Sequence, residues 1–222
     1  AMNNDRPWGS MVSDAHKTAC RKIGEEGIVL LQNNANLLPI NLSKVKRIAV
    51  IGENAIKMMT VGGGSSSLKV KYEVTPLEGL KKRIGEQAEI IYARGYVGDP
   101  TGEYNGVKTG QNLKDDRSPK ELRTEALQVA SNADIVLFIG GLNKSEYQDC
   151  EGTDRKTMDL PYNQNELIMD LLQVNKKLVV INISGTGVAM PWKNHVSTIL
   201  QAWYLGSETG NALASILMGD VN

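Results

Sequence analysis

Short apolar runs alternate along this chain with segments of helical periodicity. Residues 46–52 (KRIAVIG), 88–93 (AEIIYA), 134–140 (DIVLFIG), 177–183 (KLVVINI) and 198–204 (TILQAWY) each read as a strand. Apolar runs with little polar alternation are what a strand buried on both faces requires. Helix-start signals fall between them. Thr75-Pro76-Leu77-Glu78 offers a capping Thr, a Pro at the first helical position and a Glu placed to complete a capping box. Ser118-Pro119-Lys120-Glu121 repeats the signal and opens a helix to residue 132. Residues 163–174 and 207–218 read as two further helices. Residues 15–32 read as another, capped by Ser13 or Asp14, with Ala19, Ile23, Ile28 and Leu31 on its apolar side. Strands alternating with helices predict an α/β fold. The expected form is a three-layer sandwich with a mostly parallel sheet of about six strands and helices on both faces.

In such a sheet ligands sit beyond the carboxyl ends of the strands. The segments leaving those ends are long here, at residues 52–75, 140–161 and 184–192, whereas the returns to strand starts are mostly shorter. That asymmetry marks the expected working edge. Residues 95–117 form a polar, glycine-rich loop and the best candidate for a mobile surface segment.

Composition narrows the chemistry. The 222 residues suffice for one sizeable core. Lys+Arg and Asp+Glu are 25 each, which leaves no electrostatic footprint for nucleic acid or an anionic membrane. No apolar run reaches the roughly 20 residues of a membrane span. Cys20 and Cys150 lie in no metal-ligand spacing, and His16 and His195 are the only histidines, so no histidine-rich metal site is expected. No metal or cofactor is predicted.

Two exit segments carry candidate chemistry. Gly62-Gly63-Gly64-Ser65-Ser66-Ser67 suggests a phosphate cradle. It lacks the Lys-Ser/Thr ending and the strand-to-helix position of a nucleotide loop. The alternatives are a backbone that passes close to a ligand or another domain, and a plain surface loop. Residues 141–155 (GLNKSEYQDCEGTDR) hold four carboxylates and an Arg. Solvated charge is the bland reading of such a loop. The sharper one is a general acid or base, because Glu151 beside Gly152 sits where the backbone can turn sharply. Cys150 has no histidine near it in sequence, so an incidental thiol is preferred to a nucleophile.

These residues also carry a resemblance. The stretch 21–40 (RKIGEEGIVLLQNNANLLPI) is similar to the segment opening the second domain of family 3 glycoside hydrolases. The likeness continues in order through residues 48–52, 62–67 and 74–80, through Glu151-Gly152-Thr153-Asp154-Arg155 with Leu160, Pro161 and Gln164, through Met190-Pro191-Trp192, and through residues 206–212. Arg6-Pro7-Trp8-Gly9-Ser10 resembles the linker that leaves the preceding barrel.

The resemblance implies a retaining β-glycosidase of β-glucosidase type. Such an enzyme uses two carboxylates roughly 5 Å apart, one as nucleophile and one as acid/base. It implies an Asp nucleophile on an N-terminal barrel of the same polypeptide. The acid/base on this domain would be Glu151, with Glu146 as runner-up. Gly63, Gly64, Ser65 and Ser66 would border the sugar, and Asp154 and Arg155 would hold the loop by ion pairing. Residues 1–12 would be linker and residues 13–222 the sandwich domain. The expected partners are the barrel and a carbohydrate, with no nucleic acid and no membrane, and the expected location is extracytoplasmic. A fragment without the barrel is expected to be inactive. Trp8, Met58, Met59 and Trp192 are candidates for the face toward the barrel, and equally for the core. Two other classes stay open, a freestanding sugar- or nucleotide-binding module and a small-molecule enzyme using the Gly-rich loop. Nucleotide or flavin retained on purification would favour these.

Overall fold

The structure, a computed structural model, describes residues 5, 7–60, 65, 68–98, 103–104 and 107–222. Helix α1 (Asp14–Gly27) leads into β1 (Val29–Asn33), followed by β2 (Arg47–Ile51), α2 (Pro76–Ile84) and β3 (Glu89–Ala93). Next come the two-residue strands β4 (Glu103–Tyr104) and β5 (Val107–Lys108), then α3 (Pro119–Ser131) and β6 (Ile135–Gly141). The chain closes with α4 (Gln164–Val174), β7 (Leu178–Ile183), β8 (Thr198–Gln201) and α5 (Thr209–Met218). Six strands form one sheet in the order β1-β8-β7-β6-β2-β3. Within that sheet, among the described residues, only the β1–β8 pair is antiparallel. The predicted α/β sandwich with a mostly parallel sheet is therefore the fold observed.

Side-chain alternation on the strands builds two cores. Ile135, Leu137 and Ile139 of β6 join Val179, Ile181 and Ile183 of β7 beneath α2 and α5. Val136 and Phe138 join Leu178 and Val180 on the other face, beneath α3 and α4. Every residue of β6 and β7 is buried. This is why their sequences show no polar alternation. The predicted caps are present as well. Thr75 and Glu78 form a capping box at α2, and Ser118 and Glu121 form one at α3. Each cap contributes about 1 kcal/mol.

The first element departs from expectation. The helix predicted over residues 15–32 ends at Gly27, and Val29–Asn33 is instead the edge strand β1. Gly27 is followed by β-branched Ile28 and Val29, and antiparallel pairing with β8 outweighs the continuing apolar periodicity. The predicted apolar side is not the packed one. Ile23 is 71% exposed, whereas Gly24 is buried, and a Cβ on it would lie 3.1 Å from the Ala212 Cβ of α5. The last predicted strand also stops early, at Gln201, ahead of Trp203 at φ 34°. Loop 95–117 contains the β4–β5 hairpin, and its residues 99–102 and 105–106 lie outside the described residues. Of the four candidates for a bare face, Met59 and Trp192 are core, Met58 is half-buried and Trp8 is fully exposed.

Helices α2 and α5 cross at two glycines. A Cβ on Gly79 would lie 2.1 Å from the Gly210 carbonyl, and one on Gly210 would lie 2.0 Å from the Thr75 oxygen. Backbone fills both spaces, so no side-chain adjustment can relieve the overlap. Gly79→Ala is expected to destabilise the domain by about 3 kcal/mol or more. Urea denaturation of the purified chain checks this, and a midpoint equal to that of the parent would refute the close crossing.

Candidate functional site

The long segments leaving β2, β6, β7 and β8 converge at the carboxyl edge of the sheet. Glycines turn two of them. Gly52 after β2 has φ 118°, and a Cβ there would lie 2.1 Å from the Ile139 oxygen. Gly141 ends β6 at φ 121°, with the Ile183 oxygen equally close to where its Cβ would be. Only glycine combines that backbone with such close approach of a neighbouring strand.

The β2 exit is set by buried charge. Glu53 is fully buried, and its Oε2 accepts from Arg94 Nη2 at 2.7 Å and from the Gly98 N–H at 2.5 Å. Lys57, also fully buried, places its ammonium 3.5 Å from Glu53 Oε1. This cluster ties the turn after β2 to the chain leaving β3. Farther along, Glu73 accepts from the N–H groups of Met59 at 2.8 Å and Thr60 at 2.9 Å. Residue 73 is thereby drawn back to residues 59–60, closing the base of the segment that carries the Gly-rich run. Burial is the largest influence on the Glu73 carboxyl and raises its pKa, against the lowering effect of these hydrogen bonds. Glu53, Lys57, Arg94 and Glu73 were not singled out from sequence, because isolated charges near strand ends give no local signal of burial.

The β6 exit is a wound loop. The Asn143 side chain accepts from the Ser145 N–H at 2.8 Å, and the Thr153 hydroxyl accepts from the Tyr147 N–H at 2.9 Å. Glu151 and Gly152 form the turn, with Gly152 at φ 88°. Glu151 is exposed and its carboxylate accepts a hydrogen bond from the Ser65 N–H. The structure thus brings together Glu151 and Ser65, two of the residues singled out from sequence. Gly63, Gly64 and Ser66 lie outside the described residues. Ser65, through its side chain first and its N–H second, holds the Glu151 carboxyl below its ordinary pKa. Glu146 is exposed on the same loop.

Asp154 is exposed beside Arg155. Arg155 Nη2 donates to the Gly187 carbonyl at 2.6 Å and to the Thr186 hydroxyl at 3.2 Å. Arg155 is thereby tied to the exit of β7 through neutral oxygens. The loop encloses a cleft of about 720 Å³ against residues 185–186, lined by Lys144, Asp149, Cys150, Asp154, Arg155 and Thr186 among others. Among the described residues no group of three His, Cys, Asp or Glu side chains could hold a metal ion. Among the described residues no helix is long and apolar enough to cross a membrane.

A doubly covered parallel sheet, with carboxylates on the loops beyond its carboxyl ends, defines an α/β domain built to present charged groups at one edge. Its family is settled by comparison. Residues 28–222 match the glycosyl hydrolase family 3 C-terminal domain, and the chain belongs to that family. It is 44% identical, over its whole length, to the β-glucosidase BoGH3A of Bacteroides ovatus, and it spans 29% of that protein. It is 34% identical over its whole length to the thermostable β-glucosidase B of Acetivibrio thermocellus, of which it spans 27%. Among solved structures, a GH3 β-glucosidase from Bifidobacterium adolescentis superposes with a TM-score of 0.77 at 31% identity, over 99% of this chain and 29% of that one. The β-glucosidase of Kluyveromyces marxianus in complex with glucose has the same fold, with a TM-score of 0.81 at 23% identity over 95% of this chain and 41% of that one. The chain therefore spans under a third of the first two relatives' length. These relatives are glycosidases, consistent with a glycoside hydrolase as the parent protein.

The Glu151–Ser65 contact has a direct check. Ser65→Ala removes the larger of the two influences that depress the Glu151 carboxyl, so its titration should move up toward the ordinary value. Side-chain carboxyl NMR of the two proteins measures this. An unmoved midpoint would mean that the Ser65 hydroxyl does not act on Glu151.

Proposed function

We propose that this chain is the second domain of a retaining β-glycosidase acting on terminal β-linked glucosyl or related sugars, and that Glu151 is its acid/base. The observation that carries the proposal is the meeting of Glu151 with Ser65. It joins the two exit segments that resemble the family's substrate-facing loops, at the edge where an α/β sheet presents ligands. Residues 13–222 form the domain, residues 1–12 are linker, and an N-terminal barrel of the same polypeptide supplies the nucleophilic carboxylate and most of the sugar pocket. Gly63, Gly64, Ser65 and Ser66 border the sugar, while Asp154 and Arg155 support the loop.

In the first step the barrel carboxylate attacks the anomeric carbon. The bond to the leaving-group oxygen breaks as that oxygen takes the proton of Glu151. In the second step ionised Glu151 takes a proton from water as the water attacks the glycosyl-enzyme and releases the barrel carboxylate. A proton donor must begin protonated, whereas Glu151 in this chain is exposed and held toward its ionised form. Covering the turn with the barrel and the sugar removes water from the carboxyl and raises its pKa.

The chain by itself has one of the two carboxylates the reaction needs and is expected not to turn over aryl β-glucosides. Turnover by the purified chain, lost on Glu151→Gln, would end that argument. In the full-length polypeptide, Glu151→Ala should slow hydrolysis of an alkyl glucoside by about 10²–10⁴-fold. Glycosyl-enzyme formation from an activated aryl glucoside should slow much less, and azide should restore turnover of that substrate. Glu146→Ala should change little. Leaving-group dependence and azide rescue in Glu146→Ala, with neither in Glu151→Ala, would transfer the role to Glu146.

A further inference from the structure

We propose that Asp149 is a positioning residue that fixes where Glu151 stands, an inference that rests on Glu151 being the acid/base. Asp149 lies two residues before Glu151, and its carboxylate is held from two other strand exits. Oδ2 accepts from the Gly185 N–H at 2.6 Å and from the Tyr204 hydroxyl at 2.8 Å, and Oδ1 accepts from the Thr186 hydroxyl at 2.6 Å. Gly185 and Thr186 follow β7, and Tyr204 follows β8. Hydrogen bonds to an ionised acceptor are short and strong, and three on one carboxylate leave it little freedom. The approach is close, since a Cβ on residue 185 would lie 3.1 Å from the Tyr204 ring.

The floor beneath Asp149 is a buried hydrogen-bond network. The Asn182 side chain donates to Gln201 Oε1 at 2.6 Å and to Ser184 Oγ at 3.0 Å, and Gln201 Nε2 returns to the Ser184 carbonyl at 3.0 Å. All three residues are buried. The strand exit that receives Asp149 cannot shift without breaking that buried network. The Asp149 N–H donates to the Asn143 carbonyl at 3.0 Å, which closes the loop back onto the end of β6. The Lys144 ammonium stands over the Tyr204 ring, 3.8 Å from its centroid.

Among the described residues Glu151 has no comparable anchor. It is exposed, at a Glu-Gly turn, with Ser65 from another loop as its partner. Asp149, two residues before it on the same loop, is tied to the exits of β7 and β8. A proton-transfer group displaced by about 1 Å can lose about 10²-fold in rate. Asp149 thus acts on the reaction through Glu151, without touching substrate.

A leaving-group series separates this role from mere support of the fold. In the full-length polypeptide, kcat/KM is measured for β-glucosides running from dinitrophenyl through phenyl to methyl. The variants are Asp149→Ala, Thr186→Val, Tyr204→Phe, Glu151→Ala and the double variant Asp149→Ala/Glu151→Ala. Asp149→Ala is expected to lose about 10–10²-fold on the methyl glucoside and under about threefold on the dinitrophenyl glucoside. Thr186→Val and Tyr204→Phe should show the same slope to a smaller degree, and they decide the matter if Asp149→Ala does not fold. In the Glu151→Ala background, Asp149→Ala should add no further loss. A loss that is uniform across leaving groups, or undiminished in the Glu151→Ala background, overturns the inference and leaves the acid/base assignment standing. Absence of leaving-group dependence in Glu151→Ala itself overturns the assignment, and the positioning role with it.

Discussion

Burial of the central strands on both faces is the constraint from which the rest of the molecule follows. Successive residues of β2, β6 and β7 point into opposite cores, so each strand must be apolar at nearly every position. A sheet built this way has little room for polar side chains along its length, and charge collects where the strands stop. Close packing carries the constraint to the strand ends. The backbones of β6 and β7 pass so near the exits of their neighbours that Gly52 and Gly141 are needed to turn the chain away. The charged side chains therefore come from loops just beyond these glycines, at one edge.

That edge is held in two ways with different physical consequences. Beneath the β2 exit the fastening is a buried ion cluster of Glu53, Lys57 and Arg94. Removing the Glu53 carboxylate would leave two buried cations without the acceptor they share, at a cost of about 3–5 kcal/mol. Such a cluster makes a stiff base for the glycine-rich segment. At the exits of β6, β7 and β8 the fastening is one carboxylate, Asp149, receiving neutral donors, with Arg155 reaching across to Thr186 and Gly187. These partners are partly exposed, so the loop is tied at points and is not embedded. The loop can thus hold a defined course while its turn, residues 151–152, stays at the surface.

How much of this was legible in the sequence follows from the range of each interaction. The central strands, the capping boxes at Thr75 and Ser118 and the working edge all rest on local pattern, and they could be read directly. Strand β1 could not. Its residues carry a period that continues the helix before them, and only pairing with β8, far along the chain, makes them a strand. Trp192 and Met59 looked like candidates for exposed surface because nothing local distinguishes a core aromatic or Met from a bare one, yet both are buried. The carboxylates were harder still. Glu151 stood out beside its glycine and within a resemblance, whereas Asp149 looked like one more loop charge. Its three donors come from residues 185, 186 and 204, and no short-range signal connects them.

The electrostatic state of Glu151 bears on why acid/base chemistry would be divided between domains. Among described residues the influences on its carboxyl are the hydroxyl and N–H of Ser65, which favour the ionised form, and a smaller opposing desolvation. Water reaches it freely, so the charged form has no strong reason to take up a proton near neutral pH. On the proposed reading, the change toward a proton donor comes from outside the domain, when a second surface and a sugar displace that water. A pKa set by closure ties the acid function to the assembled, occupied site. The fixed part of the arrangement can then reside in this domain, in the Asp149 anchorage and the buried Asn182–Gln201 floor, while the variable part is supplied by whatever covers the turn. Placement and proton affinity are separate requirements of a general acid, and on the proposed reading this fold provides the first without committing to the second.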